Sequence, residues 1–302
     1  MLVKVMAKFY IITPVMNSLS WLKRCVYSVA DQVQPGVEVY HFVQDGASTD
    51  GTVEWLGEWQ QKSASRPGYR FAYESVPDAG MYDALNKAWE KLPPDADITA
   101  HLNSDEQYMP GVLARVAGEF AEHPEVELVV GAYYVVDADS RYICHRRPVQ
   151  PWRWTSQAAC EIITCACFHR AEAFMKHGIR FDTRFRVLSD MVFFRDLVNH
   201  SMKVRVLPEL ITSLFAVTGE NLGWSNIAEY EWKVVLSGMP IGITRSRWLC
   251  NFVSSARRRW RDLFCEKPLT YSLYLPGEES RTTRSIQHPT SHWGCRSFSS
   301  ER

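Results

Sequence analysis

An apolar-tending run from Asp97 to Leu102 ends abruptly in Asn103-Ser104-Asp105-Glu106 and is followed by Pro110-Gly111. That pattern predicts a buried strand that hands acidic groups to an edge loop. The carboxyl ends of strands are where open α/β sheets bind their ligands. Hard oxygen donors in such a place suit Mg2+ or Mn2+ bridging a diphosphate. Taken alone, the same four residues are more simply a solvated turn, and three further segments bear on the choice.

VQDGASTDGT, residues 43–52, puts Asp45 at the end of a second strand, with Gly46, Ser48, Asp50 and Gly51 in a tight loop before a helix. Asp45 reads as a ligand contact to a base or ribose, because small residues let the backbone approach a ligand there. Asp50 reads better as a helix N-cap. PDAGMYDALNKA, residues 77–88, is a Pro77-Asp78-Gly80 turn opening a helix on which Tyr82 and Asn86 share a face, as do Asp83 and Lys87. That helix start is a diphosphate neighbour, or the segment is an amphipathic helix with solvated polar groups. FRVLSDMVFFRDL, residues 185–197, starts a helix at Ser189-Asp190 with Val192, Phe193 and Leu197 facing a core. On its own, Asp190 is a cap or a first-turn charge.

The elements that must position these residues alternate. Strands are expected at Phe9–Thr13, Val37–Val43, Tyr69–Glu74 and up to Asn103. Helices carry Leu19, Leu22, Val26, Val29 and Val33, then Val53, Leu56 and Trp59, then Met81–Leu92. Such alternation means βαβ units and a largely parallel sheet. Past Gly111 the rhythm loosens into a helix (Val112–Glu122), strands at Val126–Val136, Tyr142–His145 and Ile162–Phe168, a helix (Ser189–Asn199), and two short strands, Val204–Leu207 and Leu210–Val217.

After about Gly219 the composition shifts to tryptophan and arginine. Trp248, Leu249, Phe252, Val253, Ala256, Trp260 and Phe264 recur at helical spacing, with Arg245, Arg257, Arg258 and Arg261 on the flanks. The segment is either a basic amphipathic helix for an anionic bilayer or a stripe packed on the main domain. From about Pro276 the chain is Ser-, Thr- and Arg-rich without period, which predicts a disordered tail.

Composition bounds the rest. The 302 residues are 46% hydrophobic and 23% charged with zero formal net charge, so nucleic acid is not an expected partner. From Ile241 to Arg302, however, eleven Lys/Arg face five Asp/Glu. The eight cysteines include no CxxC pair and read as free thiols of a reducing cytosol. No leader pattern and no run of ~18 apolar residues is seen, so the chain is expected to be soluble or peripheral to a membrane.

Together the four segments resemble the family 2 glycosyltransferases, inverting enzymes with the GT-A nucleotide-sugar fold, over roughly residues 7–217. The resemblance rests on IITPVMN, DGASTDGT, PDAGMYDALNKA, LNSDEQYMPG and FRVLSD in order and spacing. It implies an α/β, GT-A-like fold with a mainly parallel mixed sheet. The domain would span 1–217, with a nucleotide-binding half at about 7–110 and an acceptor half at about 111–217. A helical appendage at 218–275 and the tail at 276–302 would follow. By the same resemblance Thr13 and Pro14 belong to the nucleotide loop, Asp45 to the base, and Ser48 to the same donor loop. Asp83 and Asn86 lie near the donor sugar. Asn103, Ser104 and Asp105 fall on the DxD-type motif, with Asp105 holding Mg2+ or Mn2+, and Asp190 falls on the general base.

Two departures stand out. Asn103 replaces the first motif aspartate, a form (LNSD) that looks like one branch of the family. Thr164-Cys165 stands where relatives in that branch often have a His-Gln pair. The implied reaction moves a sugar from a nucleoside-diphosphate sugar to a hydroxyl of a saccharide or lipid-linked saccharide, in cell-surface polysaccharide or glycolipid assembly. The implied location is cytoplasmic, with peripheral contact at the inner face of the plasma membrane. Two rivals remain. A nucleotidyltransferase would want a basic Gly-rich first loop, whereas TPVMNS carries no Lys or Arg. A non-catalytic nucleotide-sugar binder would release no nucleoside diphosphate.

Overall fold

The computed structural model describes residues 6–159, 161–218, 226–239, 241–262 and 268–291. Its first half is the expected alternation: β1 (Ala7–Val15), α1 (Leu19–Ala30), β2 (Val37–Asp45), α2 (Thr52–Ser63), β3 (Tyr69–Ser75), α3 (Met81–Trp89) and β4 (Ile98–His101). These strands lie parallel in the order β3-β2-β1-β4. Because strand residues alternate faces, Phe9 and Ile11 of β1 enter a core with α1 and α2, while Tyr10 and Ile12 enter a second core with α3. β1 runs on through Pro14, past the last residue that pairs with β4, Ile12 with His101. The missing proline N–H therefore interrupts no bond on that side.

The second half comprises β5 (Gln107–Tyr108), α4 (Val112–Glu122), β6 (Leu128–Asp137), β7 (Tyr142–Arg146), β8 (Cys167–Arg170), α5 (Ala171–His177), α6 (Ser189–Asn199) and β9 (Val204–Val217). The sheet continues from β4 through antiparallel β8, then β6, β9 and β5, with β7 on β6. The result is the mixed α/β sheet that the sequence predicts. The expected pair of short strands at Val204–Leu207 and Leu210–Val217 is one strand, β9, whose register against β6 slips between Gly131 and Tyr133. Pro208 cannot donate a ladder bond, so the slip absorbs it as a bulge. Gly131 is required there, since a Cβ would lie 2.2 Å from Thr212 Cγ2. Of the expected Ile162–Phe168 strand, Thr164–Ala166 is a 3₁₀ turn and only Cys167 and Phe168 belong to β8.

The C-terminal region contains α7 (Asn226–Ser237) and α8 (Ile241–Asp262), followed by a hairpin of β10 (Leu269–Tyr274) and β11 (Arg281–Ile286). The hairpin corrects two expectations: residues 269–274 are not helical, and the stretch after Pro276 is ordered at least through Ile286. Its polar composition hid a period-two pattern in which Tyr271 and Leu273 join the first core. Hydroxyl pairs such as Ser272 with Thr283 (2.9 Å) lie on the other face. Arg281 ties the hairpin to α1 by donating to both oxygens of Asp31, at 2.6 and 2.9 Å. Residues 292–302 of the expected tail lie outside the described residues.

Candidate active site

The carboxyl ends of β1 and β4 open into a cavity of 620 Å³. Pro14, Val15 and Met16 form one wall, and Asn103, Ser104 and Asp105 form the floor at the end of β4. Asp78, Gly80 and Tyr82 reach in from the start of α3; Arg186, Val187 and Asp190 come from the strap into α6. Two short approaches shape the rim. Gly46 donates its N–H to Val15 O at 2.9 Å, and a Cβ on it would come within 2.8 Å of Asp78 Oδ2. Asp78 Oδ1 in turn accepts the Gly80 N–H at 2.8 Å, fixing the turn that begins α3.

The floor is built by a reciprocal turn. Glu106 Oε2 accepts the Asn103 N–H at 2.7 Å, and Asn103 O accepts the Glu106 N–H at 3.0 Å. Glu106 is fully buried, and burial together with the Asp105 charge raises its carboxyl well above the usual range. Burial also raises Asp105 to about 6, against the pull of its own backbone N–H and of the Arg24 guanidinium. Arg24 is buried in α1, stacked 3.5 Å from the Trp21 ring centre.

The donor set fits a divalent cation shared with a substrate. Asp105 offers a carboxylate, and the buried Asn103 Oδ1 has no hydrogen-bond partner within the protein. Among the described residues no group of three or more His, Cys, Asp or Glu side chains is placed to hold a metal alone. One or two protein oxygens completed by phosphates and water is how Mg2+-type ions are held in phosphate-transfer sites.

Asp190, which also lines the cavity, stands in the first turn of α6. Its Oδ1 accepts the Met191 N–H at 2.7 Å. Burial raises its carboxyl to about 6, opposed by the Met191 and Tyr82 hydrogen bonds and reinforced by the negative charge of Glu231. A carboxylate held near neutrality at a cavity wall is suited to accepting a proton.

The cavity thus brings together Pro14, Asn103, Ser104, Asp105 and Asp190. The remaining predicted residues stand behind it. Thr13 is buried with its hydroxyl 2.9 Å from His41 Nε2. Asp45 is fully buried and accepts the Ser48 N–H (3.0 Å), the Ser48 hydroxyl (2.5 Å) and the Ser75 hydroxyl (2.6 Å), so this carboxylate and Ser48 brace their own loop. Asp83 pairs with Lys87 at 2.8 Å and accepts the Ala79 N–H at 2.9 Å. Asn86 clamps the Phe181 backbone at both its N–H (3.1 Å) and its C=O (2.9 Å). Asp50 accepts N–H groups at the starts of two helices, from Leu19 (3.0 Å) and Thr52 (3.2 Å), in keeping with a capping role.

Three residues escaped the sequence reading, Arg24, Arg186 and Glu231, and Glu106 was read only as one of the acidic groups of its loop. Arg186 and Glu106 lie inside the motifs themselves, so a charge count within FRVLSD and LNSDE would have flagged them. Arg24 and Glu231 carry no local signal, because tertiary packing alone brings them to the site.

A sequence profile described as "Glycosyl transferase family 2" matches residues 10–191. No curated protein sequence matches the chain. Among solved structures, S. aureus TarS 1-349 in complex with UDP-GlcNAc superposes with a TM-score of 0.58 at 15% identity, covering 80% of this chain and 70% of that one. The mannosyltransferase PcManGT from Pyrobaculum calidifontis, in complex with GDP-Man and Mn2+, gives 0.56 at 16% identity, covering 83% and 71%. At such identities the likeness concerns the fold.

Proposed function

The chain belongs to glycosyl transferase family 2, and from that premise we propose that it is an inverting, metal-assisted transferase acting by a single displacement. A hydroxyl of a saccharide or lipid-linked saccharide attacks the anomeric carbon of a nucleoside-diphosphate sugar. The bond from that carbon to the phosphate oxygen breaks, and its electron pair leaves with the nucleoside diphosphate. Asp190 accepts the hydroxyl proton. Asp105, with Asn103 Oδ1, would hold Mg2+ or Mn2+, which when bound neutralises charge on the departing diphosphate. Pro14 and Ser104 shape the donor pocket, while Asp45, Ser48, Asp83 and Asn86 hold its surrounding loops in place. The observation that carries the reading is that Asp105, at the end of β4, and Asp190, at the start of α6, line one cavity.

The donor class is tested by thermal shift with UDP-GlcNAc and GDP-Man in the presence of Mn2+, since a ligand bound to the native state stabilises it by RT ln(1 + [L]/Kd). A stabilising donor whose nucleoside diphosphate is then released supports transfer. Stabilisation without release indicates the binder, and pyrophosphate release from a nucleoside triphosphate indicates a nucleotidyltransferase. Asp105→Ala is expected to abolish the Mn2+-dependent shift with the fold intact, and an undiminished shift would remove Asp105 from the metal site.

We further infer peripheral contact with an anionic membrane, the setting of a lipid-linked acceptor at the inner face of the plasma membrane. What supports it is the outward face of α8, where Trp248, Phe252 and Trp260 are 70%, 64% and 72% exposed beside exposed Arg245 and Arg259. Trp152 and Trp154, both exposed, adjoin it: Arg257 stacks on the Trp152 ring at 3.6 Å and the Cys250 thiol donates to Trp154 O at 3.8 Å. Aromatic rings and guanidinium groups together suit a headgroup layer. The stripe expected from spacing is therefore divided: Leu249 and Val253 are partly buried and the three aromatics face out, while Phe264 lies outside the described residues. No helix among the described residues is long and apolar enough to cross a membrane. Flotation with phosphatidylglycerol vesicles is expected for the full chain and not for the triple variant Trp248→Ser/Phe252→Ser/Trp260→Ser. Absence of flotation by the full chain at low salt would refute this contact.

A further inference from the structure

One carboxylate of the C-terminal region reaches the machinery. Glu231, on the inward side of α7, is 4% exposed. Its Oε1 accepts the Arg186 N–H at 2.5 Å, and its Oε2 accepts the Val187 and Leu188 N–H groups at 2.9 Å each. These three donors immediately precede α6, whose N-cap position, Leu188, offers no side-chain acceptor. The strap is gripped from its other side by Tyr82, whose hydroxyl donates to Val187 O at 2.9 Å. Around this bond set Phe185, Met191, Val192 and Val235 form a small apolar cluster of their own.

A buried carboxylate is costly unless hydrogen bonds or a cation compensate it. Among the described residues no ion pair to Glu231 occurs, so its compensation is the strap itself. A glutamine of the same shape would avoid the cost of a buried charge. It would, however, offer one acceptor oxygen and turn an NH2 donor toward a backbone N–H. Three converging N–H groups are therefore a specific reason for a carboxylate.

We propose that Glu231 is a positioning residue for sugar transfer: from α7 it fixes the Arg186–Leu188 strap and, through the strap, places Asp190 and the Arg186 side chain at the cavity wall. The C-terminal helices would thus complete the active site rather than decorate it. The proposal rests on Asp190 being the base. The titratable or charged groups facing Asp190 are Tyr82 from α3, Glu231 from α7 and Arg186 from its own strap. Loss of the Glu231 charge removes an influence that raises the Asp190 carboxyl, so the acid limb of the rate profile should move to lower pH.

The experiment uses the full chain with Glu231→Gln, Glu231→Asp and, in parallel, Asp190→Asn. UDP or GDP release from UDP-GlcNAc and GDP-Man, with water as the attacking hydroxyl, is followed with Mn2+ between pH 5 and 8, together with backbone hydrogen exchange over 185–190. Glu231→Gln should keep UDP or GDP affinity within about 2-fold, lower kcat by ~10-fold or more, the scale of a misplaced catalytic group, lower the acid limb, and speed exchange at 186–188. Glu231→Asp keeps the charge but shortens the reach, so it should speed exchange while leaving the limb in place. Should Glu231→Gln not fold, the Asp variant carries the test through exchange and kcat. Unchanged exchange, or kcat within 2-fold of wild type, would overturn the proposal, and so would affinity, kcat and melting temperature falling together. Wild-type release by Asp190→Asn would sink the base assignment instead, with the exchange result still reporting on the strap.

Discussion

Replacing Asp190 with asparagine should produce a more stable and nearly inactive protein. Asparagine keeps an Oδ1 to accept the Met191 N–H, so the start of α6 retains its geometry. It cannot accept a proton, and loss of a general base lowers kcat by ~10²–10⁴-fold. The stability gain follows from burial. In the fold the carboxyl titrates at about 6 against an ordinary 3.8, so ionising it there costs at most ~3 kcal/mol. Asp190 keeps some contact with solvent at the cavity wall, and roughly half of that cost is the working figure. The sign is fixed because the folded value lies above the unfolded one. Wild type suffers no penalty below the ordinary value, loses stability as pH rises between 3.8 and about 6, and carries the full penalty above. The variant should therefore melt roughly 2–3 °C higher than wild type at pH 8, with the gap closing toward pH 4. Scanning calorimetry at the two pH values, paired with nucleoside diphosphate release, reads both effects. A variant no more stable at pH 8, or equally shifted at both, would refute the buried-carboxyl argument. Near-normal release would show that the base lies elsewhere.

The other expectations follow from the same contacts. Wild-type release should rise with pH through about 6 and level off above it, since Asp190 must be ionised to accept a proton; a flat profile between pH 5 and 8 would count against it. Gly131→Ala should cost ~1–3 kcal/mol in urea unfolding, the range for forced overpacking, because its Cβ meets Thr212 Cγ2 at 2.2 Å and Leu210 O at 3.0 Å. Arg257→Ala removes the cation 3.4 Å from Glu161, whose side chain is 1% exposed. It should destabilise by ~3 kcal/mol and speed hydrogen exchange across α8 first; exchange unchanged there would mean that the pair does not anchor the helix.

The parallel half of the sheet was legible because turn residues such as Gly46 and Pro77 closely follow its strands, and each helix shows an apolar face at regular spacing. Asn103 and Asp105 stand just past the end of β4, where ligands meet sheets, whereas Asp190, in the first turn of α6, reads from local pattern as a cap and is singled out only by the family resemblance. Asp45 was harder, since a strand-end carboxylate can face a ligand or brace its own loop, and here it accepts the hydroxyls of Ser48 and Ser75. Spacing marked the α8 stripe but could not say which residues faced inward, because packing against Trp152 and Trp154 decides that. Strand β11 reads as polar low complexity, since most of the hairpin's burial comes from Tyr271, Leu273 and Tyr274 of its partner. Glu231 lies beyond any local rule: its partners stand more than forty positions earlier in the chain.

The hairpin of β10 and β11 also sets an order of events at the ribosome. Arg281 and Asp31 meet although 250 positions separate them, and Tyr274 exchanges backbone bonds with the Gln107 side chain, 167 positions away. The sequence up to Trp89 can collapse into its parallel layers while synthesis continues, yet the side of α1 that receives Tyr274 stays open until the hairpin has been made. Contacts this distant are slow to close, and an apolar surface left waiting is where nascent chains associate wrongly. Shortening the chain before residue 268 would leave that gap permanently unsealed, in a part of the molecule far from the deletion in sequence.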